Sequence, residues 1–374
     1  MHVSQQTLKM AMVGGGTGSF IGPVHQLGAQ LSGRIELVAG VFSSDPNRSL
    51  AAAAQYGVAP ERCYRSHEEM FAVEARRDDG IDLVAIATPN HLHLPIALAA
   101  IEHGVHIISD KPATATLAEA VQLRDALRAS DRAYALTFSY TAYPMVREAR
   151  ARVANGDIGR VRKVIVTYSQ GWMASALERN GHPRAAWRTD PSRSGVGGCS
   201  ADLGVHAFNL AEYLTHDVVT EMLCDVNPLV PDRALDDDCN VLLHFAKGGV
   251  GVLMASQVAF GERNGLSLQI YGDAGALHWS YDQPDALHLV KGGSREVLGP
   301  LSANLRVRVP LAPGIGNGLI APFSVLYRDF ASAIAGNRAL LDGDLPGIEA
   351  GVRSMRFVET AVAASAARAG WTAL

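Results

Sequence analysis

Apolar residues along the first 140 positions fall into short near-continuous runs, separated by stretches in which they recur at helical spacing. Residues 8–13 read as a buried strand. After a glycine loop, "PVHQLGAQL" places apolar side chains on one helical face. "RIELVAGVF" (residues 34–42) is a second strand. "DPNRSLAAAAQYG" (residues 45–57) is a helix with Asp45 as N-cap, Pro46 in the first turn and Gly57 as terminator. "CYRSHEEMFA" gives a short strand and a helix, and "IDLVAIAT" (residues 81–88) is a strand buried on both faces. A helix at 94–103, a strand at 105–109, a helix at 117–129 and a strand at 133–138 continue the alternation. Strand and helix in alternation specify an α/β domain with a parallel, doubly wound sheet.

The texture changes near residue 140. A helix at 144–154 ends in "NGDIG", and β-type runs follow: "VRKVIVTY", "EMLCDV", "CNVLLHF", "GVGVLMASQVA", "LSLQIYG" and "ALHWSY". Turn signals such as "AKGG" and "GDAG" between them suit antiparallel neighbours. Helices at 323–335 and 347–367 close the chain, so the expected division is a first domain at 1–139 and an α+β domain at 140–374. Two domains agree with a length of 374 residues, since one domain typically takes roughly 100–200.

With 48% hydrophobic and 19% charged residues, the composition is that of a soluble globular protein. The 33 basic residues face 37 acidic ones without a basic block, which argues against a nucleic-acid partner. No apolar run approaches the roughly 20 residues of a membrane span. The N-terminal apolar stretch is too short for a signal-peptide core. Cys63, Cys199, Cys224 and Cys239 form no C-x-x-C pair, which disfavours zinc and disulfide frameworks. A cytoplasmic protein is the expectation.

Candidate chemistry begins at "GGGTGSFIG" (residues 14–22). A strict G-x-G-x-x-G places its third glycine at Ser19, so the literal fingerprint fails. A Walker A loop fails as well, because no Gly-Lys dipeptide occurs. The strand, glycine turn and helix context nonetheless suits a dinucleotide pyrophosphate, with Gly14 and Gly16 for the tight turn and close approach and Gly22 for helix packing. The alternative is a purely structural glycine turn. The second strand ends in Ser43 and Ser44 instead of an acidic residue. Asp45 doubles as a helix cap and Arg48 stands where a 2′-phosphate would lie, so NAD and NADP both stay open.

"ATPNHLHLP" puts Thr88, Pro89, Asn90 and His93 at the carboxyl edge of a buried strand, where such sheets bind ligands. His91 and His93 lack further ligands at metal spacing, "HEEMF" lacks the second His of a metalloprotease, and "DDD" (residues 236–238) reads as a solvated turn, so no metal is expected. "SDKP" brings Asp110 and Lys111 to the same edge. Lys111 reads as a surface charge or, desolvated, as a proton-transfer group. In "GVGGCSADLGVHAFN", Asp202 and His206 stand four residues apart; on a helix they share a face and can converge on one hydroxyl. Singly, His206 reads equally as a structural histidine.

Together, "GGGTGSFIGPVH", "IATPNHLH", "DKP" and "GGCSADLGVH" resemble the Gfo/Idh/MocA family of NAD(P)-dependent oxidoreductases, over almost the whole chain. The resemblance implies an N-terminal Rossmann domain and a C-terminal open-faced, predominantly antiparallel sheet carrying substrate and oligomer contacts, in a homodimer or homotetramer. It implies catalytic roles for Lys111, Asp202 and His206, with Asp110 standing where the family usually has Glu. Through "AAWRTDP" it makes Trp187 and Arg188 substrate candidates; Trp172 opens the loop to Trp187, and Tyr140 is a further candidate with helix packing as its equal alternative. It also recasts the glycine loop as a three-residue expansion ending in Gly22 and His25, with Gly18, Ser19 and Phe20 in the inserted turn and the amides of Thr17 to Ile21 over the pyrophosphate. The implied reaction is reversible hydride transfer between a secondary hydroxyl of a sugar or cyclitol and nicotinamide. The rivals are a redox-neutral glycoside hydrolase or epimerase with tightly bound NAD, and a non-enzymatic sugar-responsive regulator.

Overall fold

Five strands, β1 (Leu8–Gly14), β2 (Ile35–Val41), β3 (Leu83–Ala87), β4 (His106–Ser109) and β5 (Tyr134–Leu136), pair in parallel in the order β2-β1-β3-β4-β5. They belong to a computed structural model that describes residues 7–299, 318–341 and 343–374. The connections carry α1 (Ile21–Leu31), α2 (Pro46–Tyr56), α3 (His67–Glu74), α4 (His93–Glu102) and α5 (Leu117–Arg128). Such connections demand strands apolar on both faces, and Leu83, Val84, Ala85 and Ile86 are all fully buried. Local signals act as expected. The Asp45 carboxylate accepts from Arg48 N–H at 2.9 Å, Pro46 opens α2, and Gly57 ends it at φ +73°. The strand expected in "CYRSHEEMFA" is only an isolated bridge between Gly40 and Cys63.

The second unit starts with α6 (Pro144–Ala154) and β6 (Val161–Ser169), then α7 (Pro183–Arg188), α8 (Pro191–Ser194) and α9 (Val205–Thr215). Its remaining strands are β7 (Val219–Asn227), β8 (Asp238–Phe245), β9 (Val250–Ser256), β10 (Gly265–Gly272), β11 (Gly275–Ser280), β12 (Leu287–Lys291), β13 (Ser294–Leu298) and β14 (Thr372–Ala373). They form one sheet in the order β13-β12-β11-β10-β6-β9-β8-β7-β14. All neighbours are antiparallel except β6 and β9, which run parallel. The period of two sorts the side chains: Val164, Val166, Tyr168, Val241, Leu243, Leu253, Leu268 and Ile270 are buried, whereas Leu242, Val250, Met254 and Tyr271 of the other face are exposed. Helices α6 and α9 pack together, and α9 also meets β6 and β9.

Two late helices, α10 (Ile320–Ile334) and α11 (Ile348–Ala366), correct the expected boundary at residue 139. The first compact unit takes the described residues of Met1–Thr114, Ala118–Ala142 and Val309–Val352; the second takes those of Ala115–Leu117, Tyr143–Arg308 and Arg353–Leu374. Helix α10 therefore belongs with the parallel sheet. Its Phe323 packs so closely on α1 that a Cβ added to Gly28 would stand 2.7 Å from the Phe323 Cβ. Apolar periodicity identifies a helix that needs a partner but carries no address for that partner. Among the described residues, no helix is long and apolar enough to cross a membrane.

Candidate active site

In the first unit, β1 delivers the glycine turn into α1. Gly14 has φ +95°, and a Cβ there would lie 2.3 Å from the Ala87 carbonyl oxygen, because Gly14 and Ala87 are paired at the end of β1 and β3. A Cβ on Gly16 would lie 2.4 Å from the Phe42 carbonyl oxygen, and one on Gly22 2.6 Å from the Gly15 Cα. These glycines leave a shallow backbone cradle at the helix start, the form a pyrophosphate requires. The Tyr56 hydroxyl donates to the Gly15 carbonyl, bracing the turn from α2. The proposed span of free amides is narrower than expected: Ser19 N–H already donates to the Gly16 carbonyl at 2.8 Å. The Ser19 hydroxyl accepts from Gly22 N–H at 3.1 Å, so Ser19 shapes the turn from within. Thr17, Gly18 and Phe20 are exposed, and Ile21 starts α1.

Beyond β2, the Ser43 hydroxyl accepts from Asp45 N–H at 3.2 Å, and Ser44 and Arg48 are exposed. At the β3 edge, Thr88 and Pro89 are half-buried and Asn90 is buried in a 3-10 turn. Thr88 Oγ1 is buried with no hydrogen-bond partner among the described residues, as expected of a group whose partner is a ligand. His93 is a correction. Expected at the cofactor, it is 1% exposed, with Nδ1 2.9 Å from the Pro112 carbonyl and Nε2 2.9 Å from the Thr88 carbonyl. Burial lowers its pKa against the pull of these carbonyls and Asp110, and the ring braces two edge loops.

Asp110 and Lys111 follow β4. Asp110 Oδ1 lies 3.2 Å from His25 Nε2 and 2.6 Å from the Thr137 hydroxyl. On the far side of the imidazole, Nδ1 lies 2.6 Å from the Tyr327 hydroxyl on α10. Burial pushes the Asp110 carboxyl up, but His25 and Thr137 outweigh it and hold the group below its usual range. The side chain of Asp110 is thereby committed to fixing the turn, next to a half-buried Lys111. Tyr140 is 3% exposed, in the 3-10 turn Ser139–Ala142.

In the second unit, Asp202 and His206 do not sit on a regular helix. Residues Ser200–Gly204 form a π-helical turn that runs directly into α9, a wide turn of a kind that recurs at functional sites. The half-buried Asp202 carboxylate accepts from Gln257 Nε2 at 2.9 Å, and Arg188 Nε approaches the same oxygen at 3.4 Å as an ion pair without hydrogen-bond alignment. His206 is 7% exposed and meets the Tyr168 ring edge-on at 6.0 Å. The Tyr168 hydroxyl donates to Asn264 Oδ1 at 2.7 Å, and Gln170 Nε2 bridges both.

Arg188 lies over the Trp187 ring at 4.3 Å and 6.0 Å from the Trp172 ring, with Arg184 over Trp172 at 4.9 Å. The structure thus gathers Trp172, Trp187, Arg188, Asp202 and His206 in one unit, and Thr88, Asp110 and Lys111 at one edge of the other. Sequence reasoning missed Tyr168, Gln170 and Gln257, whereas Asn264 belongs to a loop, 264–265, already expected to bear on substrate choice. Only the polar character of the first three inside otherwise apolar runs could have drawn attention to them. It also misjudged "DDD": Asp236 is 7% exposed and Asp237 fully buried. Among the described residues no group of three or more His, Cys, Asp and Glu is disposed to hold a metal.

Comparison with known proteins bears on the family and the fold. Residues 8–138 match the model of an oxidoreductase family with an NAD-binding Rossmann fold, and residues 146–278 match the GFO/IDH/MocA C-terminal domain. The uncharacterized oxidoreductase YfiI of Bacillus subtilis is 32% identical across 96% of this chain and 95% of its own. The levoglucosan dehydrogenase of Pseudarthrobacter phenanthrenivorans is 27% identical over 98% of each. Among solved structures, an inositol dehydrogenase homolog from Azotobacter vinelandii in complex with NAD+ superposes with a TM-score of 0.91 at 34% identity, covering 99% of this chain and 98% of that one. The same homolog complexed with NADH and myo-inositol gives 0.88. The glycine cradle and the unpartnered Thr88 hydroxyl fit the dinucleotide that this fold binds. The chain therefore belongs to the Gfo/Idh/MocA family of NAD(P)-dependent oxidoreductases.

Proposed function

We propose that this protein is a dehydrogenase that oxidises a secondary hydroxyl of a sugar, glycoside or cyclitol. The observation that carries the reading is the wide turn Ser200–Gly204, which sets a carboxylate gripped by Gln257 and Arg188 one turn ahead of a buried imidazole. Bound nicotinamide supplies the acceptor for the hydride that leaves the alcohol carbon. His206 takes the hydroxyl proton. Lys111 is assigned to polarising the hydroxyl and assisting proton transfer, and Asp202 to orienting the substrate or the imidazole. Trp172, Trp187, Arg188 and Tyr140 are assigned to substrate contacts, and Gly14, Gly16, Thr17, Gly18, Phe20, Ile21, Thr88, Pro89 and Asn90 to the dinucleotide. Relatives named as levoglucosan and inositol dehydrogenases support this substrate class.

NAD is the proposed dinucleotide. The exposed Asp45 carboxylate beyond β2 disfavours a 2′-phosphate, against the pull of Arg48, and the inositol dehydrogenase homolog carries NAD+ or NADH. A homodimer or homotetramer is proposed to form through the sheet face that exposes Leu242, Val250, Met254 and Tyr271. The four free cysteines, two of them buried, support a reducing cytoplasmic location.

A spectrophotometric screen of myo-inositol, levoglucosan, aldoses and methyl glucosides, with NAD+ and NADP+ separately, tests the reading. Turnover by the wild type, lost in Lys111→Ala and His206→Ala while NADH still binds, is the expected result. Release of a reducing sugar without net NADH favours the redox-neutral rival, and absence of any turnover with intact NADH binding favours the regulator. Light scattering of the wild type and of Leu242→Lys tests the oligomer.

A further inference from the structure

Asp236 and Gln257 lie at the ends of two paired strands. Asp238 at the start of β8 is opposite Ser256 at the end of β9, and Gln257 N–H donates to the Asp237 carbonyl at 2.8 Å. Both residues reach the turn that carries Asp202. Asp236 Oδ1 accepts from Gly198 N–H at 2.6 Å and from the Ser200 hydroxyl at 3.0 Å, and its Oδ2 accepts from Ser200 N–H at 2.6 Å. Its carbonyl accepts from Cys199 N–H at 2.8 Å. The two segments touch so closely that a Cβ on Gly198 would lie 2.1 Å from that carbonyl oxygen. Four bonds therefore fix Gly198 to Ser200, the residues that lead into the π-helical turn.

Gln257, 2% exposed, grips the same turn at a second point, the Asp202 carboxylate itself, at 2.9 Å. A backbone clamp alone does not set the rotation of the Asp202 side chain about its own bonds. A side-chain clamp alone leaves the turn free to shift. We propose that Asp236 and Gln257 are positioning residues of the reaction, which together hold the turn and its carboxylate in a single orientation. The inference rests on the reading of Asp202 and His206 given above. It also gives the acidic run at residues 236–238 a purpose that its composition hides. A wide π turn has fewer well-aligned internal hydrogen bonds than an α-helix, so an external mount is what keeps it in register.

The test compares Asp236→Asn and Gln257→Leu with Asp202→Asn and His206→Ala, using the polyol that the wild type oxidises fastest. Asp236→Asn keeps the shape but swaps an acceptor for a donor that faces backbone N–H groups. Gln257→Leu keeps the bulk and removes the bond to Asp202. Each is expected to lower kcat by about 100-fold, the size of effect that a misplacement near 1 Å produces. KM for the polyol and the stoichiometry and affinity of NADH binding, read by fluorescence, should stay within about twofold of the wild type, on the reasoning that uniform binding is untouched. The primary deuterium isotope effect on kcat should rise, because the chemical step becomes limiting. A merely destabilised protein loses active fraction without changing that isotope effect. If Asp236→Asn does not fold, Ser200→Ala removes one of its bonds and should give the same pattern at several-fold. Wild-type kcat and isotope effect in Gln257→Leu, or in whichever of Asp236→Asn and Ser200→Ala folds, overturn the proposal, provided Asp202→Asn and His206→Ala lose turnover. If those two keep turnover, the functional reading fails and the positioning role falls with it.

Discussion

Replacing Tyr327 by Phe deletes one oxygen from the middle of the first unit, and the hydrogen bonds there dictate the cost. Tyr327 is fully buried on α10 and its hydroxyl lies 2.6 Å from His25 Nδ1. With Asp110 ionised and the imidazole neutral, one proton order satisfies every group: Tyr327 donates to Nδ1, His25 Nε2–H donates to Asp110, and the Thr137 hydroxyl donates to the same carboxylate. The phenol stays neutral throughout, since burial and then Asp110 push its pKa well up. Tyr327→Phe leaves Nδ1 as a buried acceptor with nothing donating to it, a loss of about 1–3 kcal/mol. At roughly 2–4 °C per kcal/mol for a unit of this size, the melting temperature should fall by about 2–12 °C. Thermal and urea unfolding of the cofactor-free protein, followed by circular dichroism, measures it, with an unchanged urea slope confirming that the native and unfolded surfaces are the same. If the hydroxyl contributes only packing, the Phe variant melts within about 1 °C of the wild type. That result would refute the proton order and the role of α10 in bracing the turn that carries Lys111.

Three further outcomes follow from single features. Gly14→Ala forces an L side chain into φ +95° and against the Ala87 carbonyl, so NADH affinity should fall at least about tenfold by fluorescence titration. Gly18→Ala, at φ +84° with open space around its Cβ, carries only the backbone strain of about 1–2 kcal/mol and should bind far better. Burial first, then Arg132 and Arg338, depress the His106 pKa from 6.5 to about 4. The unfolded chain therefore binds a proton that the folded one refuses, and stability present above pH 6.5 is lost as pH falls towards about 4. Discounted for partial exposure, the loss is about 1 kcal/mol, and a series of urea titrations across that range should flatten in His106→Gln. Arg233, with a side chain 1% exposed, joins Asp237, Glu178 and the Met173 and Ser175 carbonyls; Arg233→Met strands the buried Asp237 charge and should destabilise the second unit by about 3–5 kcal/mol in urea unfolding.

Much of this protein is legible from neighbouring residues alone. The apolar runs set the parallel strands, and Asp45 and Gly57 bound α2, because each of these effects acts within about one turn of the chain. The candidate chemistry at Lys111, Asp202 and His206 is legible for the same reason, as short motifs at strand or helix ends. What the sequence hides are the partners. The Tyr327 to His25 bond spans 302 residues, so nothing local tells that α10 serves the first unit or that His25 is its acceptor. His93 has the residue type and edge position of a ligand contact, yet two backbone carbonyls claim its ring. The acidic run at 236–238 looks solvated by composition, yet the Asp236 carboxylate is consumed by amides 36 and 38 residues away. Periodicity and capping are properties of a short segment, whereas burial and hydrogen-bond pairing exist only once distant segments pack, and the tertiary structure alone decides them.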